Sequence, residues 1–150
     1  MAVLAKNKEA YFDYEIQDTL EAGISLLGHE VKSAKAGQVS LKGAHVTINR
    51  GTANLVNLHI SPYKYAGSLQ GYDPTRSRKL LLNRKEIDSI IGKYKIAGYA
   101  IVPLELYTKR GFIKVKLGIA RGKKKWDKRE SIKRREAKRK MDRAIKSRRS

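Results

Sequence analysis

The chain has 150 residues, 41% of them apolar, and this content suffices for one globular core and argues against disorder along the whole chain. It contains 34 Lys and Arg against 14 Asp and Glu, a formal net charge of +20 that predicts a polyanionic partner, most simply nucleic acid. The absence of cysteine excludes disulfides and thiolate metal sites, and no signal peptide, long apolar run or lipidation signal supports a membrane partner, so we expect a cytoplasmic protein.

The first half of the chain predicts short strands around one helical turn. Residues 1–10 have the composition of a polar arm. The segments YFDYEIQDTL and ISLLGHEV predict two strands joined by a tight turn at Gly23, and VKSAKAG predicts a short helical turn that ends at Gly37. A β-hairpin then turns at residues 49–51, between β-branched residues and a second apolar strand.

A loop and one amphipathic helix come next. Proline, glycine and an Asp-Pro pair interrupt residues 61–78, which predicts a loop. Asn83 is a predicted N-cap because Glu86 follows three residues later, the spacing of a capping box. Apolar residues at i, i+3, i+4 and i+7 predict one helical face formed by Ile87, Ile90, Ile91 and Tyr94.

The segment GYAIVPLELYTKRGFIKVKLGIARG predicts a last hairpin that turns at residues 109–111. Its second strand alternates, with Lys114 and Lys116 outward and four apolar residues inward: Ile113, Val115, Leu117 and Ile119. Pro103 predicts an edge or a bulge in the first strand. About six strands and about three short helices therefore predict a mainly β fold, a small antiparallel barrel over residues 1–121.

Residues 122–150 form a predicted basic tail. From Arg121 onward the chain holds 16 Lys and Arg against 4 Asp and Glu. Acid-to-base pairs at i, i+4 favour a helix: Glu130–Arg134, Glu136–Lys140 and Asp142–Lys146. So does a thin apolar stripe of Ala137, Met141, Ala144 and Ile145. Because dense like charge opposes an isolated helix, we expect a disordered tail in the free protein and a helix on an anionic partner.

Little in the sequence indicates catalysis or a cofactor. The three histidines have no second ligand at metal spacing, and no Gly-rich phosphate loop or nucleophile elbow is present. The basic body contains more candidate functional residues, and each has two interpretations. PTRSRKLLL is either a solvated loop before a buried strand or a phosphate clamp for RNA. Glu30 either forms a local ion pair or orients cations at an RNA site, and Lys114 and Lys116 form either a solvated face or part of the same basic surface.

Trp126, the one tryptophan of the chain, lies in KKKWDKR, where no core pattern reaches it. Two interpretations are open: its ring packs back on the barrel, or it stacks on a nucleobase, a contact worth about 1–3 kcal/mol. In the second interpretation neighbouring cations hold phosphates, and Asp127 orients Lys128 or Arg129.

Several segments stand in the order and at the spacing of one family. They are NKEA, DYEI, EAGISLLGHEVKS, DPTRSRKLLL, EID, PLELY, KVKLGIARGKK and DKR, spread over about residues 7–149. The chain resembles the SsrA-binding protein family, also called small protein B, the partner of transfer-messenger RNA (tmRNA) in bacteria. The resemblance implies an oligonucleotide-binding (OB) type barrel and no catalysis.

The resemblance also implies trans-translation, in which the protein binds the tRNA-like domain of tmRNA and enters ribosomes stalled on messages without a stop codon. The tail would probe the decoding centre, formed by small-subunit ribosomal RNA, and the empty mRNA channel. Elongation factor Tu and alanyl-tRNA synthetase would be reached through tmRNA, and we expect a monomer when free.

Position by position, the resemblance implies a tmRNA-binding face of Asn7, Glu21, Glu30, Lys32, Arg78, Lys79, Leu81 and Lys114, with Leu81 in contact with RNA or supporting the site. It implies a ribosome-facing tail that includes Lys123, Lys124, Trp126, Asp127, Lys128, Arg129, Ala144 and Ile145. Three positions depart from the family: Trp126 stands where histidine or tyrosine is usual, Phe12 where histidine is common, and His29 where threonine or tryptophan is more usual.

The sequence thus predicts a non-enzymatic RNA-binding adaptor whose barrel docks on structured RNA and whose tail condenses onto ribosomal RNA. A small structural ribosomal protein is the alternative that composition leaves open. An RNA-processing enzyme would require a carboxylate pair or a metal in the barrel groove.

Overall fold

The computed structural model describes residues 2–67, 69–95, 98–122 and 135–141. The elements in chain order are β1 (Ala2–Lys6), α1 (Lys8–Asp13), β2 (Tyr14–Ile24), α2 (Gly28–Lys35), β3 (Val39–Ser40), β4 (His45–Asn49), β5 (Thr52–Val56), β6 (His59–Ile60), β7 (Arg78–Leu81), α3 (Arg84–Tyr94), β8 (Tyr99–Lys109) and β9 (Phe112–Gly122). Residues 135–141 of the tail are also helical.

Seven strands form one antiparallel sheet in the order β1-β8-β9-β2-β7-β5-β4, and β3 pairs with β6 in a second, two-stranded sheet. The large sheet curls until β4 lies against β8. The predicted fold class, a mainly β antiparallel barrel with short helices, is confirmed. The described residues hold nine strands rather than about six, because β1 and the two-residue strands β3 and β6 have weak local patterns.

The core lies inside the curled sheet. The predicted alternation of β9 is confirmed, because Ile113, Val115, Leu117 and Ile119 are all at most 7% exposed. A second, small core lies under α1 and consists of Ala10, Val102, Leu104 and Ala120. Gly118 permits this close packing, since a Cβ at that position would lie 2.9 Å from Leu104 Cδ1. Residues 117–120 of β9 are therefore buried on both faces of the strand.

The predicted turns and caps are largely confirmed. Both long hairpins turn through two consecutive residues with positive φ, Arg50 with Gly51 and Arg110 with Gly111, the backbone of the tight hairpin turn. Asn83 caps α3, where its side chain accepts from the Glu86 N–H at 2.8 Å and Glu86 accepts from the Asn83 N–H at 3.2 Å.

Two further predictions for the body are confirmed. Gly37, with φ of 81°, follows α2 closely, as a helix-stop glycine does. The pairing register of β8 and β9 shifts between Pro103 and Glu105, which is the bulge that Pro103 predicted.

The prediction of a polar N-terminal arm is wrong. Residues Ala2–Lys6 form β1, an edge strand that pairs with β8 about a hundred residues later, and α1 follows with Asn7 as its N-cap. A half-exposed edge strand has little alternation of its own. Its pairing partner is remote in sequence, so the local pattern did not reveal it.

The predicted turn at Gly23 and the strand over ISLLGHEV are also wrong. Strand β2 runs through Gly23, which pairs with β9 on one side and β7 on the other. The helix α2 begins at Gly28, inside the segment ISLLGHEV for which a strand is predicted. The Glu30 carboxylate accepts from the Leu27 N–H at 2.8 Å and so caps the start of this helix. Gly23 thus allows close packing between strands and does not form a turn.

Candidate nucleic-acid interface

A row of three residues crosses the outer face of the sheet. Leu81 on β7 stands opposite Gly23 on β2, and Gly23 stands opposite Lys114 on β9. Because Gly23 has no side chain, a groove of about 320 Å³ opens between its neighbours, and Phe112 and Val31 also line it. A Cβ at Gly23 would lie 3.2 Å from the Leu81 Cβ, so a larger residue would crowd the groove.

This outer face combines exposed apolar side chains with cations. Leu81 is 54% exposed and Phe112 is 69% exposed. Lys79 alternates with the buried residues of β7 and is exposed, while Lys114 is half-buried. Lys32, on the neighbouring helix α2, is exposed as well. We call Lys32, Lys79, Leu81, Phe112 and Lys114 the outer patch. An anionic ligand with apolar parts, such as RNA, fits this chemistry.

Behind the outer patch lies a fully buried ion pair. Glu30 and Arg78 are each 0% exposed. Arg78 donates to Glu30 Oε2 from Nε at 2.9 Å and from Nη2 at 2.6 Å. Its guanidinium also donates to the carbonyl oxygens of Leu58, Arg76 and Pro74. The pair joins α2 to β7 and to the loop before β7.

Two further donors complete the coordination of the Glu30 carboxylate. The Tyr72 hydroxyl donates to Oε2 at 2.9 Å, and Arg76 donates from Nε to Oε2 at 3.1 Å and from Nη2 to Oε1. The Tyr72 ring also meets the ring of His29 edge to face, with centroids 4.7 Å apart. The loop before β7 is thereby fastened to α2 through one carboxylate. Truncating that carboxylate would leave the buried Arg78 Nε and the part-buried Leu27 N–H without their acceptor.

The cations around Glu30 decide its ionisation. Burial alone would raise the pKa of the carboxyl group, but the hydrogen bonds from Arg76, from the Leu27 N–H and from Arg78 outweigh it and lower the pKa to about 2. The same carboxylate acts on Tyr72, whose pKa is raised by burial and by its hydrogen bond to Glu30. Glu30 is therefore an anion at neutral pH.

The lowered pKa of Glu30 predicts a pH dependence of stability. Since the folded pKa of about 2 lies below the reference value of 4.5, the ionised carboxylate stabilises the fold fully above about pH 4.5 and progressively less as the pH falls towards 2. Urea unfolding of the wild type and of Glu30→Gln from pH 7 to pH 3 measures this. The gap between their free energies of unfolding should narrow below pH 4.5, and a gap that stays constant over this range would contradict the assignment.

Two other predicted site residues lie elsewhere on the body. Asn7 is 7% exposed, accepts from the Ala10 N–H at 3.2 Å and donates from Nδ2 to the Pro103 carbonyl at 2.9 Å, so it fastens α1 to β8. Glu21 is exposed on β2 and accepts from the Tyr107 hydroxyl and from Lys109 Nζ at 3.3 Å. The hydrogen bond from Tyr107 and then the Lys109 charge lower the pKa of Glu21.

The structure thus separates the eight predicted residues of the tmRNA-binding face. Five of them lie at exposed or half-exposed positions and three are buried: Glu21, Lys32, Lys79, Leu81 and Lys114 are in the first group, and Asn7, Glu30 and Arg78 in the second. RNA contact by any of them stays a prediction. The predicted tail residues lie outside the described residues: Lys123, Lys124, Trp126, Asp127, Lys128, Arg129, Ala144 and Ile145.

Sequence reasoning missed two residues of this region. Phe112 shares the outward side of β9 with Lys114 and Lys116, and the strict alternation of that strand was sufficient to find it. Arg76 stood within PTRSRKLLL, but its pairing with Glu30 depends on a fold contact 46 residues away in sequence. That contact has no local signal.

The residues that the structure describes give two further findings. They include no group of three or more His, Asp or Glu arranged to hold a metal ion. They also include no helix that is long and apolar enough to span a membrane.

Comparisons with known proteins agree on one family. The model of the SmpB protein family matches residues 4–147. The chain is 54% identical over 145 residues to the SsrA-binding protein of Oceanobacillus iheyensis, covering 96% of this chain and 93% of that protein. It is 52% identical over 143 residues to the SsrA-binding protein of Bacillus subtilis strain 168, covering 95% of this chain and 91% of that protein.

A solved structure, described as "tmRNA-SmpB: a journey to the center of the bacterial ribosome", matches with a TM-score of 0.67 and 44% identity, over 85% of this chain and 92% of that one. The family match and this structural neighbour define a small β-barrel protein of the RNA-binding class. The chain belongs to the SmpB family.

Proposed function

We propose that this chain is a non-enzymatic adaptor that binds the tRNA-like domain of tmRNA and brings it to stalled ribosomes in the bacterial cytoplasm. The observation that carries the proposal is the outer patch, where an apolar groove and three lysines share one surface in a member of the SmpB family. The names of its relatives, SsrA-binding proteins, support the same partner.

The outer patch suits a folded RNA better than a free single strand. Folded RNA is recognised mostly through its shape, its phosphates and its 2′-hydroxyl groups, because its deep groove hides the base edges. The lysines of the patch would neutralise phosphates, while Leu81 and Phe112 would pack against ribose or an exposed base. Such a surface fixes the position of an RNA and performs no reaction on it.

The buried residues of the predicted face have a different role in this proposal. Glu30 and Arg78 would hold α2 against β7 so that Lys32 stands at a fixed position relative to Leu81. Asn7 would do the same for α1. They are positioning residues, and their replacement would weaken RNA binding by loosening the surface rather than by removing a contact.

The tail would act on the ribosome. We divide the chain into a barrel of residues 1–121 and a tail of residues 122–150, and the tail would contact small-subunit ribosomal RNA in the decoding centre and the empty mRNA channel. The helix at residues 135–141 supports a helical tail on this path. Elongation factor Tu and alanyl-tRNA synthetase would be partners through tmRNA, and the free protein would be a monomer.

Replacements within the outer patch should separate charge from apolar contact. Lys114→Ala should weaken binding of the tRNA-like domain and reduce the salt slope, d log K/d log[salt], by about 1 in magnitude, because one phosphate contact is lost. Leu81→Ala should weaken binding with an unchanged slope. Both are measured by fluorescence anisotropy at several salt concentrations.

The matched control is Lys42→Ala, which removes an exposed lysine from the surface beside α1 and β1. It should change neither the affinity beyond about twofold nor the slope by as much as one phosphate contact. Equal effects of Lys42→Ala and Lys114→Ala on RNA affinity would mean that binding depends on the total positive charge of the protein and not on the outer patch.

A further inference from the structure

Two tyrosines stand close together in the loop after β6. We call residues 61–67, with the sequence SPYKYAG, the aromatic turn. The rings of Tyr63 and Tyr65 meet edge to face, with centroids 5.5 Å apart and planes at 70°. Tyr65 is 73% exposed, the largest exposure among the large apolar or aromatic side chains that the structure describes. Its ring contributes little to the core, so the fold does not account for it.

Cations flank both rings. The Lys64 ammonium lies 4.8 Å from the centroid of the Tyr65 ring, and the Lys32 ammonium lies 5.9 Å from the centroid of the Tyr63 ring. Both distances are within the range of cation–π attraction. The aromatic turn itself contains no Asp or Glu. A strongly anionic ligand with flat rings is complementary to this combination.

The aromatic turn is fastened at its beginning. The Ser33 hydroxyl on α2 donates to the Ser61 carbonyl at 2.6 Å, and the Ser61 N–H donates to the Gln38 carbonyl at 3.0 Å. The Ala66 N–H then donates to the Tyr63 carbonyl at 3.0 Å and closes the turn. The tyrosines are therefore held next to α2, and Lys32 of the outer patch contacts the first of them. Through Lys32 the aromatic turn adjoins the outer patch.

We infer that the aromatic turn binds an unpaired nucleotide of the RNA that docks on the outer patch. The base stacks on the exposed ring of Tyr65, and Lys64 and Lys32 neutralise the adjoining phosphates. Unpaired bases of folded RNA characteristically stack on aromatic side chains. The inference rests on the proposed function, because the same RNA must occupy the outer patch. Continuity with Lys32 and the positive charge favour RNA over a protein partner.

Anisotropy titration of the whole protein with the fluorescein-labelled tRNA-like domain of tmRNA tests the inference. Tyr65→Ala should weaken binding by roughly 5- to 150-fold, the range that loss of one base–aromatic stack gives. Tyr65→Phe should bind as the wild type does, because stacking needs the ring and not the hydroxyl. Tyr65→Ala should leave the salt slope unchanged, since no phosphate contact is removed.

The matched control is Tyr94→Ala, which removes another exposed tyrosine, at the end of α3. It should bind RNA as the wild type does. Wild-type protein that fails to bind the tRNA-like domain would sink the proposed function. Tight wild-type binding with no loss in Tyr65→Ala would overturn the inference alone, and so would an equal loss in Tyr65→Phe and Tyr65→Ala.

A photo-crosslinking amino acid at position 65 provides a second readout. In bacterial cells that contain the labelled protein, it should crosslink to tmRNA at an unpaired nucleotide. Crosslinks to protein alone would overturn the inference and assign the aromatic turn to a protein partner.

Discussion

Replacement of Glu30 by alanine is expected to lower the free energy of unfolding by about 3–5 kcal/mol, the cost of breaking a buried ion pair from one side. The reason is that Arg78 is 0% exposed, and its charge loses the carboxylate that pairs with Nε and Nη2, which leaves Nε without an acceptor. Tyr72 and the Leu27 N–H lose the same acceptor. Urea unfolding at pH 7 and 25 °C measures the change.

Two companion variants make this result specific. Glu15→Ala removes an exposed carboxylate from β2 and should stay within about 0.5 kcal/mol of the wild type. The double variant Glu30→Leu with Arg78→Met replaces both charges by apolar groups and should cost less than the sum of the single changes, because no unpaired charge stays buried. Additive costs would contradict the account of the pair.

Removal of residues 123–150 is expected to abolish tagging of stalled translation products and to leave binding of the tRNA-like domain within about tenfold, or 1.4 kcal/mol. The truncation removes 15 Lys and Arg and 4 Asp and Glu but keeps all of β9. The outer patch lies entirely on the part that remains. Tagging is measured in a reconstituted translation reaction on a message without a stop codon, and affinity by anisotropy.

A scrambled tail provides the matched control. It keeps the composition of residues 123–150 and breaks the i, i+4 pairs and the apolar stripe. If the tail acts as a helix with defined positions, the scrambled protein should bind RNA at least as well as the truncated one and still fail to support tagging. Full tagging by the scrambled protein would show that charge alone suffices, and loss of RNA binding on truncation would refute the division into barrel and tail.

The sequence predicted those parts of the fold whose signals are local. The alternation of β9, the positive-φ hairpin turns and the capping box of Asn83 with Glu86 each lie within a few residues, and each is confirmed. The N-terminal strand was missed because its pairing partner is β8, about a hundred residues away. The predicted turn at Gly23 is wrong because only the neighbouring strands, which are remote in sequence, show that this glycine is packed between them.

The candidate site, like the fold, could be predicted only in part, because contacts between residues remote in sequence have no local signal. The resemblance selected Lys32, Lys79, Leu81 and Lys114, and the structure brings Leu81 and Lys114 to either side of Gly23. The resemblance could not show that Glu30 and Arg78 are buried against each other, since burial depends on how α2 packs on β7. Similarity of sequence marks a position as part of a surface, and only the fold distinguishes a contact residue from the residue that supports it.

The measurement that tests the central claim most directly is the affinity of the whole protein for the tRNA-like domain of tmRNA, compared with an elongator tRNA of similar length at physiological salt. The two RNAs carry similar numbers of phosphates, so non-specific electrostatics would bind them alike. A defined docking surface predicts tighter binding of the tRNA-like domain, with the preference lost in the double variant Leu81→Ala with Lys114→Ala. Equal affinity for both RNAs, unchanged in that variant, would contradict the account.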